Sequence, residues 1–153
     1  MIRRWAPLAF AAVLASCGGG ASSSTAGGIE GVPAEVHVFA ASVTPHGDEA
    51  DASLALHNGG DTADRLIGVS CTCAVGAEIH GADATGDIGP VDGVALPPDE
   101  VVTFSPGGPH VVLVGLTLPL APGDTVTLEL TFDHAAPAQA VADVKQAKKL
   151  STA

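Results

Sequence analysis

The chain has 153 residues, with six Lys and Arg, seventeen Asp and Glu and a formal charge of −11, which bounds it to one domain with appendages. Such acidity excludes nucleic acid as a partner, because phosphate binding needs clustered Lys and Arg. An acidic surface suits a metal cation or a basic partner patch, and it also serves plain solubility.

Arg3-Arg4 and the apolar run from Trp5 to Leu14 lead into Leu14-Ala15-Ser16-Cys17. A basic start, a short apolar core and small residues before the break form an export signal too short to span a bilayer. The Leu-Ala-Ser-Cys ending resembles a bacterial lipobox. Residues 1–16 are therefore expected to be removed, Cys17 to carry lipid, and the mature protein to be anchored in the periplasm. Gly18 after Cys17, in place of an Asp retention signal, resembles proteobacterial lipoproteins sent to the outer membrane. Residues 17–33 are rich in Gly, Ser and Ala and read as a flexible tether.

From Glu35 the chain turns apolar with frequent turn signals. Short strands are predicted at Glu35–Ala41, Ala52–His57, Arg65–Val69, Ala77–His80, Val91–Leu96, Val101–Phe104, His110–Leu116 and Thr125–Phe132. In Ala52–His57, Leu54 and Leu56 oppose Ser53, Ala55 and His57. In Thr125–Phe132, Val126, Leu128, Leu130 and Phe132 point inward. His110–Leu116 is almost wholly apolar, as a central strand covered on both faces would be. Asn58-Gly59-Gly60-Asp61 is a turn. About eight short strands at this spacing predict an all-β sandwich spanning residues 34–134. Residues 135–153 are rich in Ala, Gln and Lys, and are expected to be a flexible tail with at most a marginal helix over Val141–Leu150.

Candidate site residues follow the strand ends. His80 and His110 each sit beside a loop, where an imidazole can offer one nitrogen to a metal while the other is held by a hydrogen bond. Asp83 and Asp87 lie in the loop after His80. Cys71 and Cys73 precede the His80 strand. They could pair as a disulfide in an oxidising compartment, offer two thiolates to a soft ion, or do neither. His37, His46, His57 and His134 are scattered and read as surface histidines. No Gly-x-Ser-x-Gly, His-Glu-x-x-His, phosphate loop or Cys-x-x-Cys is present, so the chain reads as a binding protein rather than an enzyme.

Pro90-Val91-Asp92-Gly93 and Gly107-Gly108-Pro109-His110, each followed by an apolar strand, resemble the periplasmic copper chaperones called PCu(A)C. Leu54-Ala-Leu-His-Asn58-Gly, Asp64-Arg-Leu-Ile-Gly68 and the stretch Gly123–Phe132 extend the resemblance over roughly Val36–Phe132. It implies a cupredoxin-like Greek-key β-sandwich and a surface copper ion held by two His and three Met. The two His fall on His80 and His110. The Met positions fall on Gly81, Ile88 and Val112, and the only methionine of the chain is Met1. The resemblance further implies delivery of copper to a periplasmic acceptor, such as an oxidase or its assembly factor. Without thioethers, two imidazoles suit copper(II) or zinc if carboxylates complete the shell, whereas Cys71 and Cys73 could restore sulfur for copper(I). Two further readings stay open: a scaffold that has lost metal transport, and a Cys-x-Cys redox module.

Overall fold

The computed structural model describes residues 34–147. The expected signal peptide, Cys17 anchor and tether, and residues 148–153, lie outside the described residues. Ten strands and no helix form among them: β1 (Val36–His46), β2 (Glu49–Asn58), β3 (Asp64–Cys71), β4 (Ala74–Ala82), β5 (Ile88–Pro90), β6 (Val94–Leu96), β7 (Val101–Phe104), β8 (His110–Leu116), β9 (Thr125–Phe132) and β10 (Ala138–Val144).

The strands follow one hydrogen-bonded path, β5-β4-β8-β2-β1-β10-β9-β3-β6, with β7 also paired to β2. The path folds over a single core. β3 and β4 lie in contact without sharing a ladder, so the chain crosses between layers at the turn around Thr72. Strict alternation drives this burial. In β2 every even position from Ala50 to Asn58 is buried and every odd position from Glu49 to His57 is partly exposed. β9 repeats the pattern with Leu128, Leu130 and Phe132 inward. With Leu54, Leu56, Leu66, Leu96, Phe104 and Leu113, these form the centre of the apolar core.

Two expectations need correction. The tail is not a marginal helix, because Ala138–Val144 forms β10, antiparallel to β9 and parallel to β1 through Ser42↔Asp143 and Val43↔Val144. Ala140, Ala142 and Val144 are buried at alternate positions and close the core between β1 and β9. The folded domain thus runs past His134. Alanine's high helix propensity hid a period-two pattern of small residues. Second, the expected strand Val91–Leu96 shortens to Val94–Leu96, which pairs with β3, and an unexpected strand just before it, Ile88–Pro90, pairs with β4. Gly93 makes the crossing between them possible, since a Cβ there would lie 2.7 Å from the Leu66 carbonyl oxygen.

Two buried polar side chains fix loops to this frame. Asn58 donates through Nδ2 to the carbonyls of Thr62 and Leu96, and its Oδ1 accepts from Gly60 N–H. Asp64 accepts from the backbone N–H groups of Arg65, His134 and Ala135, tying β3 to the segment after β9. Burial alone would raise the Asp64 pKa, but those three N–H donors and the His134 ring hold it below 3.8.

Candidate metal site

β4 and β8 run antiparallel in unbroken register from Ala74↔Leu116 to His80↔His110. The two expected histidines are therefore direct cross-strand partners, with side chains on the same outward face. Their ring centroids are 5.0 Å apart and the planes are tilted by 53°. An ion about 2.0–2.1 Å from each Nε2 would stand roughly 3.2 Å from each ring centre, so this spacing is compatible with both rings meeting one ion at roughly 100°.

The motifs around the pair explain its posture. In Gly107-Gly108-Pro109-His110 the chain reverses, with Gly107 at φ 94°, Gly108 N–H donating to Ser105 O and Ser105 N–H donating to Pro109 O. The turn brings the Gly108 carbonyl within 2.8 Å of His110 Nδ1. A carbonyl only accepts, so Nδ1 carries the proton and Nε2 of the neutral ring keeps its lone pair for a metal. His80 lies between His110 on β8 and Pro90 on β5. Its Nε2 is 3.1 Å from Glu78 Oε2, and its side chain is 21% exposed beside a Glu78 that is 54% exposed. Glu78, two residues before His80 on the same face of β4, is a functional candidate beyond those the sequence singled out.

The three Met positions hold no donor. Ile88 is 42% exposed and Val112 8%. At Gly81 even a Cβ would meet Val91 and Val94 at 3.2 and 3.3 Å. Asp83 and Asp87 are both engaged within their own loop, Asp87 Oδ2 accepting from the Thr85 hydroxyl. Asp83 Oδ1 accepts from Thr85 N–H, Thr85 Oγ1 and Asp87 N–H within their own loop. Those bonds, the Thr85 hydroxyl first, hold the Asp83 carboxyl below its ordinary range.

Cys71 and Cys73 form a disulfide, and Cys73 is 3% exposed. They sit where β3 turns into β4, at the Ala74↔Leu116 end of the ladder, with Thr117 N–H donating to Cys73 O. Six residues of strand separate that end from His80, about 20 Å at 3.3 Å per residue. A mixed Cys-Cys-His-His site therefore does not assemble, because the ladder holds the two pairs at opposite ends. Among the described residues no three His, Cys, Asp or Glu side chains already converge as a metal cage. The residues at hand are two imidazoles with a carboxylate against one of them.

The other histidines are not scattered. His37 pairs with His57 across β1 and β2, and His46 with Glu49. By register these three share the outward face of His80 and His110. His37 and His57 stack with centroids 6.2 Å apart, and each Nε2 meets its own carboxylate, Glu35 at 3.6 Å and Asp99 at 3.5 Å. His134 stands apart, its Nδ1 3.3 Å from the buried Asp64 Oδ1.

Known structures share the architecture. A copper-bound PCuAC domain from PmoF2 is similar at 24% identity, covering 77% of this chain and 99% of that one with a TM-score of 0.65. An apo PCuAC domain from PmoF1 matches at 27% identity, 74% and 96% coverage and a TM-score of 0.65. The solution structure of CuI-DR1885 from Deinococcus radiodurans matches at 26% identity, 77% and 82% coverage and a TM-score of 0.59. The fold is thus the cupredoxin-like β-sandwich of PCu(A)C domains. No curated protein matches the chain. Among the described residues no helix is long and apolar enough to cross a membrane. The LpqE-like family profile matches residues 34–144, almost the whole described domain, and the chain belongs to this LpqE-like lipoprotein family.

Proposed function

We propose that this chain is an exported, lipid-anchored copper-binding protein of the chaperone type, which holds copper on the β4–β8 face and passes it to an acceptor protein. One observation carries the reading: His80 and His110 are cross-strand partners with ring centres 5.0 Å apart, and a backbone carbonyl fixes the His110 tautomer. The copper(I)-bound relative from D. radiodurans supports the choice of metal. A shallow site on an exposed sheet face suits transfer, since an acceptor's ligands can reach the ion while the imidazoles still hold it. An oxidase or its assembly factor is the acceptor class implied by the PCu(A)C resemblance. Cys17 would carry the lipid; the outer-membrane expectation rests on Gly18 alone. Binding and hand-over assign no catalytic reaction to the chain.

Loss of all three thioether positions, Gly81, Ile88 and Val112, favours a second reading, a scaffold without metal. A chelator competition titration of the full chain with copper separates the two. One equivalent bound by the wild type and lost in His80→Ala and His110→Ala is the expected result. Equal silence of the wild type toward copper(I), copper(II) and zinc would leave the scaffold reading.

A further inference from the structure

We propose that Glu78 supplies the ligand that the missing methionines do not, and that the site thereby takes copper as copper(II) in preference to copper(I). This rests on the reading of His80 and His110 as the copper site.

The ladder register places the carboxylate. Glu78 pairs with Val112 one step along from His80↔His110, so these four residues make a square on the outward face. Val112 stands at a Met position of the PCu(A)C pattern, and it is the neighbour of Glu78 across the strands. The position that would carry sulfur thus lies beside a carboxylate. Asp51 flanks Val112 from the other side, on β2, with its own Oδ2 3.2 Å from His46 Nε2. One negative group therefore stands in the square and a second borders it, and no lysine or arginine pairs across these ladders.

The distances suit a shared ion. Two donors about 2.1 Å from one metal and at right angles to each other lie about 3.0 Å apart. His80 Nε2 and Glu78 Oε2 are 3.1 Å apart. In the metal-free chain an ionised carboxylate only accepts, so a proton on His80 Nε2 fills that gap. On metal binding the ion replaces it, and in the neutral ring the proton moves to Nδ1, while an imidazolium would release it. Glu78 is more than half exposed, so its carboxylate is free to shift toward an ion, although among the described residues no three such side chains already converge.

The donor chemistry then sets the oxidation state. Copper(I) prefers thiolate or thioether sulfur, and the only sulfurs among the described residues, Cys71 and Cys73, are joined to each other at the far end of the ladder. Imidazole nitrogen with carboxylate oxygen at right angles is the tetragonal set that suits copper(II). The carboxylate charge also compensates the second positive charge of the ion.

The test is chelator competition with the full chain, run separately for copper(II) in air and copper(I) under anaerobic reduction. Glu78→Gln should weaken copper(II) by about 10–100-fold, the range for losing a supporting group at a metal site. Copper(I) should change by less than about threefold, since it gains little from a hard oxygen. Val112→Met, which leaves Glu78 in place, should strengthen copper(I) by about tenfold by returning one thioether. Undiminished copper(II) affinity in Glu78→Gln, with affinity lost in His110→Ala, would overturn the role of Glu78 and keep the histidine site. Undiminished affinity in His110→Ala as well would remove the underlying reading. Should Glu78→Gln not fold, Val112→Met decides alone: unchanged copper(I) affinity would put position 112, and Glu78 across from it, out of the ion's reach.

Discussion

The two ends of the β4–β8 ladder share strands and register but have opposite chemistry. At one end His80 and His110 face each other partly buried, His110 with its Nε2 lone pair free and His80 Nε2 against the Glu78 carboxylate. At the other, Cys71 and Cys73 satisfy each other, and Thr117 pins their loop. In sequence the cysteines stand closer to His80 than His110 does. In space, cross-strand pairing brings His110 to His80 and strand length carries the cysteines away. A ligand set in a β-sandwich is therefore decided by register, and the ladder predicts that the two ends can be altered independently.

The largest effect should come from the open end. His110→Ala removes the imidazole whose Nε2 is kept free, and copper affinity should fall on the order of 100-fold by competition titration while the melting temperature barely moves. The frame common to both ends comes next. Asn58 is fully buried and its amide serves three backbone groups, so Asn58→Ala should cost about 2–3 kcal/mol in urea unfolding. The closed end should show a smaller and different response. A Cys71/Cys73 double serine variant should lose about 1–2 kcal/mol of stability, as expected for opening a very short cross-linked loop. Its copper affinity should stay within about threefold of wild type; a larger loss would break the separation of the two ends.

The smallest effect concerns pH. The folded Asp64 pKa is lowered from 3.8, so its carboxylate contributes stability that is fully present above that value. The contribution is lost as pH falls through the lower folded value. Acid unfolding of the wild type should therefore steepen below about pH 4, and Asp64→Asn should flatten that part of the curve. An unchanged slope would show that the three N–H donors around Asp64 do not favour its charged form.

Much of this architecture was legible in the sequence. β2 and β9 announce themselves because period-two alternation carries large apolar residues, Leu54 and Leu56 in one and Leu128 and Leu130 in the other. Gly107-Gly108-Pro109-His110 marked His110 through its resemblance to PCu(A)C, and Gly107 at φ 94° is what reverses the chain there. β10 was hidden, since its buried positions are alanines that carry little strand signal. Glu78 was half legible: its two-residue spacing from His80 puts both on one face of β4, but its pairing with Val112 is a property of the ladder, and no spacing along one strand encodes it. Asp83 and Asp87 looked closer to the site, but their loop uses Asp83 to hold itself together.

The most direct test of the central claim is a count of coordinating imidazoles by pulsed electron paramagnetic resonance on the full chain with one equivalent of copper(II). Two imidazoles should be seen in the wild type and one each in His80→Ala and His110→Ala, with His37→Ala and His57→Ala unchanged. A count that survives loss of His80 and His110, or falls with His37 or His57, would contradict the account.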